Sequence, residues 1–257
     1  MSNAARIFWA GWKFHLKSLS LSIFFVLISV LQPIIFASIA FFMVEAGARE
    51  GTQLYVALGA GLMGMWSSTL FGSGGAIQWQ RWQGTLELLV AAPPRFILTM
   101  VPLTIATATI GLYAVVATLF WGRLLFDVPL DVEHPWLFAL ALPVTTVGLG
   151  LLGLVLASTF VLYRHASAFS NLLEYPVWLV SGLLVPVSLL PGWVEPVSWV
   201  LAPTWGVKAV RESALGGDPG AAVGMCLLLS AVYLVVGAAT MANFERLARK
   251  RATLGLT

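Results

Sequence analysis

Charge is what this chain has least of. Only 10% of its 257 residues are Asp, Glu, Lys or Arg, against about 25% in soluble domains. Hydrophobic residues make up 59%, and the mean hydropathy is +0.91. So little charge cannot cover a surface that faces water all round, so a polytopic membrane protein with no nucleic-acid partner is expected. Cysteine is almost missing as well. Cys226 stands by itself in the apolar run AAVGMCLLLSAVYLVVGAA, which excludes an intrachain disulfide and a cysteine metal cluster. The three histidines, His15, His134 and His165, fall at the ends of apolar runs or in the segments joining them. An intramembrane serine protease would need such a base at membrane depth. There is no H-E-x-x-H for a metalloprotease and no G-x-x-x-x-G-K-[ST] for a nucleotide. G-x-G-x-x-G does occur, at Gly148, Gly150 and Gly153, but inside an apolar run with no strand before it, where it reads as helix packing through small residues. No catalytic residue, metal site or cofactor of its own is expected, and the chain reads as a non-enzyme.

What the sequence does have is length of apolar chain. A membrane span needs about 20 predominantly apolar residues, and the runs predict six: 19–44, 53–77, 97–125, 136–162, 166–190 and 220–243. Each is expected to be a helix, because lipid offers the backbone no partners. The predicted class is therefore an all-α membrane protein, with residues 1–257 as a single transmembrane domain. Prolines at 33, 102, 143, 176 and 186 predict kinks. The run that follows Arg6, Lys13 and Lys17 is too long for the 7 to 15 residues of a signal-peptide core, so it is expected to remain as an anchor. Upstream of it, residues 1–18 place Phe8, Trp9, Trp12 and Leu16 on one helical face, the pattern of a helix lying in the membrane interface. Residues 191–217 are too polar to span and too apolar for a free loop. Cut by Pro191, Pro196 and Pro203 and carrying Trp193, Trp199 and Trp205, they predict two short helices dipping into the outer leaflet.

Six spans put both ends on one side. Arg6, Lys13, Lys17, Arg81, Arg95, Arg164, Arg246, Arg249, Lys250 and Arg251 gather there, against Arg49, Arg123, Lys208 and Arg211 on the other side. The positive-inside rule then makes both termini cytoplasmic. The basic tail FERLARKRATLGLT has two readings, a contact with a soluble partner or anionic lipid and a charge cluster that only sets topology.

Polar residues inside the spans carry more information. In the fifth run Ser167, Ser170, Asn171, Glu174, Trp178 and Ser181 recur every three or four residues, on one helix face. Glu174 lies about 14 Å along that helix from His165. A carboxylate at such depth is costly in lipid and faces a bundle interior, a cavity or a partner. The first run has a weaker stripe of Ser18, Ser22, Ser29 and Gln32. Two readings stand: a substrate path or subunit seam, and interhelical hydrogen bonding without cargo.

Between the second and third runs comes QWQRWQGTLELLVAAPPRF, residues 78–96, a polar stretch with a helix expected over residues 80–92 ahead of a Pro-Pro pair. RWQGTLELLVAAPPRF resembles the R-E-R-G-T-L-E-x-L-x-x-x-P-x-x-R segment of ABC-2 type (type-2 exporter) ABC transporter permeases. VSGLLVPVSLLPGWVEPVSWVLAPTWGVKAVRESALGG resembles their SG-x-x-x-P segment before the last span. The resemblance implies that Arg81, Gly84, Thr85, Leu86, Glu87, Leu89, Pro93 and Arg95 form a cytoplasmic coupling helix and its exit, docking into a separate ATPase. It implies that Phe8, Trp9 and Trp12 lie on a connecting helix against the same ATPase. The first and fifth spans of two permeases would meet at the dimer seam. Gln80 and Gln83 stand where relatives often carry charged residues.

The implied function is the membrane subunit of an ATP-driven multidrug or antibiotic exporter in a prokaryotic cell membrane. Two ATPase subunits would bind ATP and Mg, and a second permease, identical or related, would complete the path. The apolar path predicts hydrophobic drugs, antibiotics or lipid-like cargo. Glycan, polysaccharide or lipid-linked export is the alternative within the family, and a proton-coupled secondary transporter using Glu174 is the alternative outside it. On this topology a reporter active only outside the cell should work when fused after residue 133 and fail after residue 257; the opposite pattern would invert the assignment.

Overall fold

The computed structural model describes residues 3–47, 52–82, 84, 88–89, 95–160, 166–183 and 185–251. All of its regular elements among these residues are helical. The long ones are α1 (Asn3–Leu21), α2 (Ile23–Glu45), α3 (Gln53–Trp82), α4 (Ile97–Ile110), α5 (Leu112–Phe126), α6 (Pro135–Phe160), α7 (Ala166–Val180) and α10 (Gly220–Arg251). Two shorter helices, α8 (Glu195–Trp199) and α9 (Ala202–Leu215), fill the segment before α10. Among the described residues five helices are long and apolar enough to cross a membrane, with α4 and α5 together making one of them, Ile97–Phe126.

The boundary between the expected interfacial helix and the first span shifts by a few residues, for a local reason. Ser22 leaves the helical region (φ −80°, ψ 94°) and its hydroxyl accepts from the Phe25 amide at 3.4 Å. A side-chain oxygen that satisfies an orphan N–H is a start signal for a new helix, so α1 stops at Leu21. No residue of α1 is fully buried. It packs beside α4, with Gly11 against Pro102, and Trp12 donates its indole N–H to Thr109 at 3.3 Å.

α3 is the centre of the bundle, buried along nearly its whole apolar length. Small residues let its neighbours close on it. A Cβ on Gly61 would sit 2.7 Å from the Val115 Cα of α5, and a Cβ on Gly64 would collide with Pro33 of α2 and Ala114 of α5. The three glycines of the G-x-G-x-x-G run on α6 face three helices in turn. Gly148 meets Cys226 of α10, Gly150 the Ile105 backbone of α4, and Gly153 meets Ser73 of α3. This is close helix packing of the small-residue kind.

The run 166–190, expected as one span, departs from that expectation. Its helix covers Ala166–Val180, 15 residues, or about 22 Å, short of a hydrocarbon core of about 30 Å. Gly182 then takes a left-handed conformation (φ 77°), and a single 3-10 turn follows at Val187–Leu189 after Pro186. Glycine ends helices in this way because it accepts positive φ without steric cost. The freed carbonyls are taken by Arg211 of α9, which donates to Gly182 O at 2.6 Å and Leu183 O at 3.0 Å.

The segment 191–217 does form two short helices, and nine of the fourteen residues of α9 are buried. Its first amide, Ala202 N, donates to the Tyr233 hydroxyl of α10 at 3.1 Å. Gly206 rests on Thr145 of α6. Because α5 backbone lies this close to Gly61, Gly61→Ala should destabilise the detergent-purified protein by about 1–3 kcal/mol through overpacking. A melting temperature equal to wild type would contradict the close contact.

Candidate functional site

Gln32 of one polar stripe meets Glu174 of the other, and α3 joins them. Glu174 on α7 is 4% exposed. Its Oε1 accepts from the Ser67 hydroxyl of α3 at 2.7 Å and from the Gln32 side-chain amide of α2 at 3.2 Å. One turn away on α2, buried Ser29 accepts from the Ser68 hydroxyl of α3 at 3.1 Å. A buried acceptor with two donors is satisfied only while three helices stay together, and removing one donor costs about 1.5–3 kcal/mol when the acceptor is charged.

The other stripe residues fall outside this node or beside it. Trp178 is buried, its ring edge-on to Phe36 of α2 at 5.2 Å and to Tyr175 at 5.0 Å. Its indole N–H has no acceptor among the described residues. Ser181 turns its hydroxyl back onto Val177 O, and Ser22 is the exposed cap of α2. The backbones of Ser167, Ser170 and Asn171 lie on α7, but their side chains are outside the described residues. Ser67 and Ser68 were missed by sequence reasoning. Their only signal is a polar pair in the middle of an apolar run, MGMWSSTLF.

Of the stretch expected to dock on an ATPase, Thr85, Leu86, Glu87 and Pro93 lie outside the described residues. Arg81 sits in the last turn of α3, with its side chain likewise outside, and Gly84 turns the chain with φ 66°. Leu88 is 71% exposed, whereas its neighbour Leu89 packs on a cluster that includes Phe96 and Met100 near the start of α4, Leu151 and Leu154 of α6 and Phe244 of α10. Arg95 is exposed. The next residue, Phe96, is buried, and its amide donates to the Glu245 carboxylate of α10 at 3.3 Å. Two side-by-side leucines thus do opposite things, one presented outward and one wedged between helices. On α1, Phe8, Trp9 and Trp12 form a ladder of edge-on rings 5.7 and 5.6 Å apart. Among the described residues no group of three His, Cys, Asp or Glu side chains is placed to hold a metal.

Long apolar helices wrapped around a buried one, with a carboxylate node at its middle, define a multi-pass membrane protein with an intramembrane polar site. The sequence model of the ABC-2 type transporter family matches residues 8–215, from the first aromatic of α1 to the end of α9, and the chain belongs to that family. It is the membrane permease component of an ABC transporter, not the ATPase, and permease domains of this kind work with an ABC ATPase. A comparison with curated proteins finds no match.

The node makes a direct prediction. Ser67→Ala should lower the unfolding free energy of the purified protein by about 1.5–3 kcal/mol, because it leaves a buried carboxylate short of a donor. Ser22→Ala, which removes an exposed cap, should cost about 1 kcal/mol. Chemical denaturation in detergent measures both, and a Ser67→Ala midpoint indistinguishable from wild type would rule the node out as a fastener.

Proposed function

We propose that the chain exports apolar or amphipathic molecules, with drugs, antibiotics and lipid-like compounds as the cargo class, driven by two partner ATPases that bind Mg-ATP. A second copy of the chain or a related permease completes the path. The membrane is that of a prokaryotic cell, with both termini cytoplasmic. The carrying observation is the pair Leu88 and Leu89: an exposed apolar side chain next to one that is wedged among α4, α6 and α10. A partner that grips the outward leucine moves the inward one, and through it the ends of three helices. Residues 80–92 in this reading are the ATPase contact, supported by the aromatic ladder Phe8, Trp9 and Trp12 on α1.

The membrane path itself is read as lying along the polar node. Gln32, Ser67 and Glu174 join α2, α3 and α7 by hydrogen bonds, which can be exchanged for cargo or water at little net cost, whereas an interdigitated apolar contact cannot. A helix set of this kind supports two discrete arrangements, as alternating access requires. ATP-driven approach of the two ATPases biases the choice between them.

The decisive experiment is reconstitution with the ATPase encoded by a neighbouring reading frame. Leu88→Asp should reduce cargo-stimulated ATP hydrolysis at least about ten-fold, as loss of an apolar interface anchor does, while the permease itself keeps its melting temperature. Equal hydrolysis with and without the permease, or with and without the substitution, would sink the reading. The same proteoliposomes test proton coupling: wild-type uptake driven by a pH gradient without ATP and abolished by Glu174→Gln would replace this proposal by a secondary transporter, whereas transport unchanged by Glu174→Gln would end the proton-coupled reading.

A further inference from the structure

The inner face of α1 is turned onto the protein. Phe8, Trp12 and Leu16 of its apolar face are half-buried, Gly11 meets Pro102, and Trp12 and Ser20 reach Thr109 and Tyr113. The face that α1 shows to its surroundings is a different one. Arg6, Lys13 and Lys17 are exposed, and spacings of seven and four residues place them within about 40° of one another around the helix.

Nothing in the protein answers this charge. No Asp or Glu occurs before Glu45, and among the described residues none of the three cations takes part in an ion pair. A stripe of cations without acidic neighbours attracts an anionic surface. Arg6 and Lys17 stand about 16 Å apart along the axis, so the stripe meets more than one anionic group.

The apolar side chains beside the stripe decide which surface that is. Phe14 is exposed at its flank. One turn beyond Lys17 stands Leu21, 72% exposed, and past the helix break at Ser22 follow Ile23, 76% exposed, and then Leu27 and Leu31. Along the chain the outer surface thus passes from fixed positive charge to apolar side chains within about two turns. A soluble partner supplies acidic groups without a hydrocarbon continuation, whereas an anionic lipid layer supplies both in that order.

We propose that the outer face of α1 binds anionic phospholipids of the cytoplasmic leaflet, their phosphates against Arg6, Lys13 and Lys17 and their acyl chains against Phe14, Leu21 and Ile23. Bound lipid then holds α1 on α4, where Trp12 grips Thr109. The leaflet rests on the topology proposed above. Binding itself is measured without ATP hydrolysis or transport, so this proposal and the export reading fail separately.

The test titrates full-length purified permease in neutral detergent with pyrene-labelled phosphatidylglycerol and with phosphatidylcholine of the same chains, read by energy transfer from tryptophan. Phosphatidylglycerol should bind at least about ten-fold more tightly, a preference that about 1 M NaCl removes. The double variant Lys13→Gln, Lys17→Gln should lose at least about ten-fold in affinity for phosphatidylglycerol and nothing for phosphatidylcholine, since each cation near an anionic surface contributes about five-fold. Loss of N-terminal cations can disturb insertion. The headgroup and salt comparison on the wild-type chain therefore stands without variants, and Lys17→Gln alone, with an expected loss of a few-fold, replaces a double variant that is not produced. Equal binding of the two lipids by the wild-type chain, or phosphatidylglycerol binding unchanged in the variants, overturns the proposal. Unchanged lipid binding together with loss of the partner ATPase would assign the stripe to that protein instead.

Discussion

Everything in this molecule is arranged around a helix that has no free face. α3 is buried along its apolar length, so every neighbour must come close to it, and lipid gives none of its polar side chains an outside partner. Glycines at 61 and 64 remove the side chains that would hold α2 and α5 away. Hydroxyl and phenol groups then supply direction. Tyr55 meets Arg211, Ser67 meets Glu174, Ser68 meets Ser29, and Ser73 lies 3.0 Å from Thr107. From Tyr55 to Ser73 is about 27 Å of helix, so these contacts mark successive depths, each joining α3 to a different partner. Apolar packing alone distinguishes such partners weakly, because lipid tails are as apolar as the side chains themselves.

The same economy of polar groups explains the two ends of the short helices. Arg211 and Tyr233 each bind backbone atoms that a helix terminus leaves without partners. Arg211 also lies with its guanidinium carbon 3.7 Å from the centre of the Tyr55 ring. A single side chain thereby connects the region just after α7, the start of α3 and α9.

Much of this was legible in the sequence where a pattern repeats. The stripes on the first and fifth runs carry helical spacing, and one member of each, Gln32 and Glu174, meets in the node. Ser67 and Ser68 could not be read that way, because a helix enclosed on all sides has no polar face and therefore no period. The end of α7 at Val180 was hidden for another reason. Its local sequence remains apolar through Leu190, and what stops the helix is Gly182 together with an arginine 29 residues downstream. Tertiary partners decide such boundaries, and spacing within a run does not contain them. The break at Ser22, by contrast, is a local cap, visible in principle once Ser22 is weighed as a start signal as well as a member of a stripe.

The last helix shows how far a family resemblance and a physical role can differ in extent. The family match ends at residue 215, before α10 begins, yet α10 ties together both ends of the bundle. Its Tyr233 receives the first amide of α9, and its Glu245 receives the amide of Phe96 at the start of α4. Between these two residues lies about 18 Å of uninterrupted helix, and Gly237 in that stretch rests directly on Leu154 of α6. The wedge at Leu89 presses on the same cluster as Phe244. The cluster that Leu89 packs against thus reaches α10 at Phe244, one residue from Glu245. The Leu89 end and the α9 end of the bundle are thus linked by one helix, whose contacts at each end are hydrogen bonds to backbone and therefore indifferent to which side chains the neighbouring helices carry.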